Sequence, residues 1–349
     1  MPRRCGVQEY ASSWLLDFLD LHDFSLAILG QKDEVFEPFQ EPEAHPDLAR
    51  WRANVGEPLA LDLAPPLQRK PREVDVLCWN LAIGAARLGE VVELWRSGEW
   101  SVSDSDPDRP LVVLAQEAFR ADDSIPARVA SRFHGGASAR AGAGDLAELA
   151  RQNGLSLRYA PSMRNGADRS DRGNAVLATA ALQGAHAFSL PHVRQRRVAV
   201  AAELTELQGM TFVSAHLDTW GALRTDRRRP VWPFGSGRVA QAADLGRRLV
   251  ASDGDGVVVG GDLNTPLGRR DPVLGALVHA GFTPARPVGA WQHTFHGPVR
   301  LLLDHVLFRS RGGWVRAVEV RRLDETAADR GRRVFGSDHH PLLARVVLR

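Results

Sequence analysis

Cysteine is nearly absent from this 349-residue chain. Cys5 and Cys78 are the only two, and no Cys-x-x-Cys pair occurs. That excludes a thiolate zinc site and a disulfide framework as the basis of the fold. Lysine is equally scarce: Lys32 and Lys70 are the only lysines among 44 basic residues, and the other 42 are arginine. No apolar run approaches the roughly 20 residues of a membrane span. The N-terminal stretch "MPRRCGVQEYASSWLLDFLD" has its apolar run broken by Asp17 and Asp20, so it lacks the continuous core of a signal peptide. No G-x-x-x-x-G-K-[ST] loop is present, which disfavours an ATPase or a P-loop kinase. The expectation is a soluble cytoplasmic protein without a membrane span, and nothing in the sequence names a protein partner.

What is present is an ordinary globular composition, 44% hydrophobic and 25% charged, with a formal net charge of +2. A charge this small does not by itself indicate nucleic acid. Arginine suits bidentate contact with phosphate, although its abundance beside Ala and Gly also fits codon bias. The length accommodates one large α/β domain with an additional segment. Residues 1–70 read as an N-terminal extension, an arm on the main domain. "SSWLLDFLDLHDF" fits a short amphipathic helix capped by Ser12 or Ser13, and the prolines of "EPFQEPEAHP" and "LAPPLQRKPRE" argue against long regular elements.

From residue 71 to 349 a rhythm of short apolar runs predicts buried strands: "VDVLCW", "LVVLAQ", "AVLATA", "RVAVAAEL", "TFVSAHL", "GVVVGG", "LLLDHVLF", "WVRAVEV" and "LLARVVL". Several are β-branched and near-continuous, as expected where both sheet faces are covered. "GDLAELARQ", "SGRVAQAADLGRRLVA" and "DPVLGALVHAG" read as helices. The last has Asp271 as cap, Pro272 at the first helical position and Gly281 as stop. "HGGASARAGAGD" reads as a surface loop. About nine strands with few helices predict layered sheets with helices outside.

Polar residues cluster at the C-terminal ends of these strands, where open α/β sheets place their sites. They are Asn80, Gln116 and Glu117, His216 and Asp218, Asp262 and Asn264, Asp304 and His305, and then Asp338, His339 and His340 in "GSDHHP". Singly, each has a bland explanation: "GDLN" is a good turn, Glu117 a solvated carboxylate, His216 a core histidine. Together they form a set of acids, amides and histidines with no thiolate. Oxygen donors select Mg²⁺, Mn²⁺ or Ca²⁺ over zinc, and acids and histidines around a hard cation fit phosphoester hydrolysis.

At these residues the chain resembles the endonuclease/exonuclease/phosphatase superfamily. "CWN", "LAQE", "RGNAVLA", "SAHLD", "GGDLNTP", "LDHVL" and "GSDHHP" follow in that family's order between Val74 and Arg349. The resemblance implies an α/β fold, a four-layered sandwich of two packed mixed β-sheets flanked by helices. It also implies a phosphoesterase dependent on Mg²⁺, with Mn²⁺ able to substitute. In that likeness Glu117 is the principal metal ligand, with Asn80 beside it and Asp338 near the metal. Asp262 aligns or deprotonates the attacking water, and Asn264 binds phosphate or water. His339 contacts the scissile phosphate, Asp304 orients His339, and His216 stabilises the pentavalent phosphorus. Asn174 contacts the substrate phosphate. His216 stands where abasic-site members carry tyrosine and is more like the deadenylase, sphingomyelinase, inositol-phosphatase and tyrosyl-DNA phosphodiesterase branches. His305 follows Asp304 where many members have tyrosine, which implies a packing role.

Arg197 is a further candidate for clamping phosphate. The stretch "DTWGALRTDRRRPVWPFGSGRVAQ" sets Trp220 and Trp232 among Arg224, Arg227, Arg228, Arg229 and Arg238. It reads as a substrate-facing loop, with aromatics to stack on bases and arginines to follow a backbone. The partner expected is a phosphoester substrate, with nucleic acid among the candidates, so the leading expectation is a nuclease or related phosphodiesterase. A phosphatase or phosphodiesterase on small phosphorylated molecules or lipid head groups is the alternative, and a non-catalytic binding module of the same fold is a third. At the tail, strand alternation alone would pair Asp338 with His340. The resemblance instead assigns His339 to the site, which requires a turn at "SDH".

Overall fold

A computed structural model describes residues 37–40, 51–100, 109–128, 142–166, 168–193, 195–219, 236–251, 254–325 and 333–349. The helix expected from Ser12 or Ser13, most of "HGGASARAGAGD", and the loop residues Trp220, Arg224, Arg227, Arg228, Arg229 and Trp232 lie outside the described residues.

In chain order the strands are β1 (Glu37–Gln40), β2 (Leu59–Leu61), β3 (Glu73–Asn80), β4 (Leu111–Arg120), β5 (Ser156–Arg164), β6 (Asp171–Ala178), β7 (Leu182–Ser189), β8 (Val198–Leu204) and β9 (Met210–His216). They continue as β10 (Gly256–Asp262), β11 (Thr283–Pro284), β12 (Arg286–Val288), β13 (Phe295–His296), β14 (Arg300–Leu301), β15 (Asp304–Ser310), β16 (Val315–Arg322) and β17 (Leu342–Leu348). The described helices are α1 (Leu88–Arg96), α2 (Leu146–Gln152), α3 (Ser236–Ala251) and α4 (Pro272–His279).

The strands form two mixed sheets, ordered β1-β7-β8-β9-β10-β15-β11 and β12-β16-β17-β3-β4-β6-β5-β2, with β13-β14 as a separate hairpin. Residues 37–40 and 59–61, from the expected N-terminal extension, contribute strands at the edges of the two sheets. Three apolar clusters define the layers. Val74, Val76, Cys78, Val112 and Leu114 of the larger sheet pack against Val200, Phe212, Val258 and Val306 of the smaller. On its other face the larger sheet packs Leu77, Trp79 and Val113 against Leu88, Val91 and Val92 of α1 and Leu146 and Ala150 of α2. The smaller sheet packs Val213, Val257 and Val259 against Ala242 and Leu245 of α3 and Val273 and Leu277 of α4. Helix, sheet, sheet and helix therefore make the expected four-layered sandwich, and strands covered on both faces explain their near-continuous apolar runs.

Local chemistry agrees with this plan. Asp271 caps α4 by accepting from the Val273 N–H, Pro272 opens the helix, and Gly281 follows it at φ +90°. Asp145 caps α2 in the same way through the Glu148 N–H. Cys78 is buried and unpaired among the described residues. No described helix is long and apolar enough to cross a membrane.

Two glycines show how tightly the sheets constrain the chain. A Cβ on Gly261 would stand 1.8 Å from the Ala215 carbonyl oxygen, an atom fixed in the neighbouring strand. Gly275, on the exposed side of α4, has open space around it. Gly261→Val is expected to cost at least about 3 kcal/mol, since backbone cannot yield as a side chain can. Gly275→Ala is expected to add up to about 1 kcal/mol from helix propensity. Urea unfolding of both variants measures the contrast, and equal stabilities would contradict this packing.

Candidate active site

Strand register brings the predicted residues together. On the inter-sheet face of the smaller sheet, Asp262 ends β10 opposite His216 of parallel β9 and opposite Asp304 of antiparallel β15. These positions continue the alternation of core residues: Val258 precedes Asp262 by four, Phe212 precedes His216 by four, and Val306 follows Asp304 by two. In the larger sheet Asn80 continues the row of Val74, Val76 and Cys78, and pairs with Gln116 of β4. The last position of each row is thus polar, and these polar ends meet where the inter-sheet core stops.

Asp262 is the hub. Its carboxylate accepts from the Asn80 amide at 3.0 Å, across the two sheets, and from the Asn264 backbone N–H at 3.0 Å. His216 Nε2 lies 3.5 Å from it and His339 Nε2 lies 3.8 Å from it. His339 turns its other ring nitrogen, Nδ1, to Asp304 at 2.8 Å. Asp304 is itself placed by Thr294, whose hydroxyl accepts from the Asp304 and Leu303 N–H groups at 3.1 Å each. One layer deeper, Gln116 donates to the Ser214 hydroxyl at 3.0 Å, and Ser214 donates to the Ala115 carbonyl at 2.7 Å. This second polar bridge ties the sheets together under the site.

Glu117 enters by a different device. In a regular strand it would face away from Gln116. A bulge in β4 between Ala115 and Ala118, with Glu117 at φ +49°, turns it into the cleft. Asn264 (φ +51°), Ala82 (φ +48°) and Ile83 (φ +56°) also border the cleft in the left-handed region, which non-glycine residues rarely occupy. The cleft has a volume of about 570 Å³, and Asn80, Glu117, His216, Asp262, Asn264, Asp338 and His339 all line it.

The tail makes a turn, as the assignment of His339 required. Val334 and Ser337 bridge each other across Phe335 (φ +48°) and Gly336 (φ +87°). Ser337 then donates to the Asn80 carbonyl at 2.7 Å and accepts from the His339 N–H at 3.0 Å. Trp79 Nε1 donates to the His339 carbonyl at 2.8 Å. His340 points elsewhere, with Nδ1 2.8 Å from Asp324.

Asn174 and Arg197 are near the site but do not line this cleft. The Asn174 amide donates to the Val198 carbonyl at 2.7 Å, joining β6 to β8. Arg197 is buried and donates to the Gln195 side chain at 2.7 Å. His305 is buried with Nε2 2.8 Å from the Thr265 hydroxyl, and burial takes it down to about 4, as suits a packing residue. Arg238, read in sequence as part of a substrate-facing loop, is buried under the site: it donates to the Asn264 carbonyl and lies 3.5 Å from Asp271. Sequence reasoning missed Thr294, Ser337, Arg333 and the apolar wall of Phe295, Pro298, Val299, Leu301 and Leu303. A buried threonine or serine carries no signal in one sequence, although Ser337 lay inside the quoted "GSDHHP" motif.

Electrostatics divide the roles. Burial pushes the Asp262 carboxyl up to about 7, with Asp304 adding to the effect, against the pull of His339 and the donors from Asn80 and Asn264. Burial alone would lower His339, but Asp304 and Asp262 outweigh it and push the imidazole up to about 10. Burial takes His216 well below its ordinary range, aided by Arg197, His339 and Arg172. Asp262 is thus held toward its protonated form, His339 toward its charged form and His216 toward its neutral form.

Glu117 and Asp338 fit a hard cation. Both are half-buried and face the cleft, and the Glu117 carboxylate accepts no hydrogen bond among the described residues. With the Asn80 amide oxygen they offer oxygen donors only.

Buried acids and histidines around a cleft of about 570 Å³, beside half-buried carboxylates suited to a cation, are the equipment of a phosphoester hydrolase. The model of the Endonuclease/Exonuclease/phosphatase family matches residues 77–339, and the chain belongs to that family of metal-dependent phosphoester hydrolases. The endonuclease/exonuclease/phosphatase from Bacteroides vulgatus is similar at 13% identity and TM-score 0.51, covering 80% of this chain and 100% of that one. A family protein from Bacteroides thetaiotaomicron is similar at 14% identity and TM-score 0.51, covering 80% of this chain and 99% of that one. These two likenesses show the fold. The human Nocturnin catalytic domain is similar at 16% identity and TM-score 0.47, covering 84% and 98%. A comparison with curated proteins found no match.

The two adjacent histidines separate cleanly in this geometry. His339→Ala is expected to lower kcat/KM for phosphoester hydrolysis by roughly 10²–10⁴-fold, the usual range for a positioned proton-carrying group. His340→Ala is expected to stay within about tenfold of the parent. Near-equal losses, measured on folded variants, would contradict the separation.

Proposed function

We propose that this chain is a Mg²⁺-dependent phosphodiesterase acting on nucleic acid or a related phosphodiester, with Mn²⁺ able to replace Mg²⁺. The observation that supports it is the convergence on Asp262 of Asn80, Asn264, His216 and His339, with Asp304 behind His339. Glu117, Asn80 and Asp338 would hold the cation, which neutralises phosphate oxygens when bound.

The remaining work falls to the chain's own side chains. Asp262 orients a water and takes its proton as the water oxygen attacks phosphorus. Its raised affinity for a proton suits a base that works near neutral pH. His339, charged and held by Asp304, faces the phosphate and stabilises the negative charge that grows on its oxygens. His216, neutral, donates a hydrogen bond to the same oxygens. Asn264 holds Asp262 through its backbone N–H and is itself held by donating from its amide to the Leu217 carbonyl at 2.9 Å. Arg197, buried and near enough to His216, Glu117 and Asp262 to act on them electrostatically, adds positive charge to the site. The P–O bond to the leaving group breaks as the new P–O bond forms.

A second reading, hydrolysis of small phosphorylated molecules or lipid head groups, draws on the apolar wall of Phe295, Pro298, Val299, Leu301 and Leu303. Such a wall suits an organic group beside the phosphate. DNA, RNA, inositol phosphates and sphingomyelin assayed side by side with Mg²⁺ separate the two. Hydrolysis is expected on a nucleic acid or generic phosphodiester and is expected to vanish in EDTA. Asp262→Asn should lower the rate by at least about 10²-fold; full activity in that variant would contradict the mechanism.

The pH profile follows from the two shifts. Asp262 must be deprotonated, so kcat/KM falls as pH drops through about 7, and a bound cation moves that limb lower. His339 must be protonated, so kcat/KM falls as pH rises through about 10. In Asp304→Asn the chief source of the upward push on His339 is gone. Its alkaline limb is expected to move down by more than one pH unit, and an unmoved limb would show that Asp304 does not tune His339.

A further inference from the structure

Three histidines outside the catalytic constellation converge on one another. His293 and His296 flank Phe295 on the approach to and within β13, and His340 follows His339. One ring nitrogen from each lies within 4.8 Å of those of the other two. The ring centroids of His296 and His340 are 4.3 Å apart, those of His293 and His296 5.1 Å, and those of His293 and His340 5.5 Å.

The tautomer of His340 can be read from its neighbours. Its Nδ1 lies 3.1 Å from the Leu323 carbonyl oxygen and 2.8 Å from Asp324. A carbonyl oxygen only accepts, so the proton resides on Nδ1. Its Nε2 lone pair then points away from that pair and directly at Nε2 of His296. A histidine whose one N–H is held by a carboxylate or carbonyl, with the other nitrogen aimed into a cluster of imidazoles, has the arrangement by which proteins orient metal-binding histidines. His340 is buried, whereas His293 and His296 are half-buried, so the cluster has an anchored side and an open side.

We propose that His293, His296 and His340 form a second metal site, separate from the hard-cation site, that takes a nitrogen-preferring divalent ion of the Zn²⁺ class. Three imidazoles without a carboxylate ligand select Zn²⁺ and its transition-metal neighbours over Mg²⁺. The fourth position opens to solvent, as in three-ligand zinc sites. Asp324 acts on the ion through His340 and also pairs with Arg322, with 2.9 Å between Arg322 Nε and Asp324 Oδ1. Arg322 lies 3.2 Å from a His293 ring nitrogen and donates to the His293 carbonyl at 3.0 Å. Arg322 and Arg300 both oppose a cation at the cluster, and Asp324 offsets them.

The consequence is mechanical. The His340 backbone N–H donates to the Thr294 carbonyl at 2.7 Å, and the His296 backbone N–H donates to the Asp338 carbonyl at 2.7 Å. Phe295 lies between the two hairpin histidines and packs on the catalytic His339 ring, 4.9 Å between centroids. An ion at the three histidines would clamp the β13–β14 hairpin to the tail turn. It would thereby hold the apolar wall of the cleft and His339 in one arrangement, without touching substrate.

The test uses the full chain, stripped with EDTA and returned to saturating Mg²⁺. Zn²⁺ titrated against a chromophoric chelator is expected to bind at one equivalent per chain. His293→Gln/His296→Gln is expected to lower that affinity on the order of a hundredfold or more while keeping Mg²⁺-dependent hydrolysis. A Glu117→Gln variant is expected to lose hydrolysis yet keep the Zn²⁺ equivalent, which separates this site from the catalytic one. Independently of any variant, Zn²⁺ should protect His293 and His296 from diethylpyrocarbonate, located by mass spectrometry. Equal Zn²⁺ affinity in the double variant, or no protection of either histidine, would overturn the proposal.

Discussion

Everything at the site depends on one buried carboxylate at the open end of a β-sandwich. Asp262 sits where the inter-sheet core stops, and it receives a hydrogen bond from Asn80 across the gap between the sheets. An ionised group there is costly unless donors surround it. The Asn80 amide and the Asn264 N–H meet part of that cost, and the nearby imidazolium of His339 meets more. The balance leaves a carboxylate that is stable enough to exist and basic enough to take a proton. Removing any of these partners would change both the fold's end-cap and the chemistry.

The architecture makes this arrangement cheap to assemble. Side chains of a strand alternate faces, so rows of Val, Cys and Phe that fill the inter-sheet core end, in register, on Asn80, Gln116, His216, Asp262 and Asp304. What alternation cannot deliver is supplied by local departures from regular structure. Glu117 reaches the cleft through a bulge and a left-handed backbone, and Asn264 adopts the same region directly after Asp262. The tail turn brings His339 in from a different segment and is sewn to the end of β3 by Ser337 and Trp79. Among the described residues the non-glycine left-handed positions are Ala82, Ile83, Glu117 and Asn264 at the cleft and Phe335 in the tail turn.

Much of the fold was legible in the chain. The nine apolar runs all fall on strands, and the capping residues of "DPVLGALVHAG" act as read. Strands β5 and β7 were not read, because "SLRYAPSMR" carries two arginines and a proline, and "LQGAHAFS" has weak hydrophobicity. Arg158 and Arg164 are nonetheless buried, their guanidinium groups donating to backbone carbonyls, which no local pattern reveals. Helix α1 was missed for a related reason: its N-terminus, Arg87, offers no capping side chain. Arg238 looked like one of a run of surface arginines, yet it is buried beneath Asn264, a placement set by how α3 packs on the smaller sheet.

By itself the sequence determined which strands are doubly covered, since continuous β-branched runs cannot face water, and which strand ends carry acids, amides and histidines. It also narrowed the class of chemistry, because acids, amides and histidines without thiolates fit phosphoester hydrolysis. Only the tertiary structure decided which of those residues meet. His339 and His340 are adjacent in sequence and identical in type. The Trp79 indole N–H, donating to the His339 carbonyl, and the Ser337 hydroxyl, accepting from the His339 N–H, fix the turn in which the first faces Asp304 and Asp262 and the second faces Asp324 and two other histidines. The reason is physical: side-chain direction at a turn is set by what pins it, and here Trp79 and Asn80 at the end of β3 lie 260 and 257 residues from the His339 and Ser337 they hold.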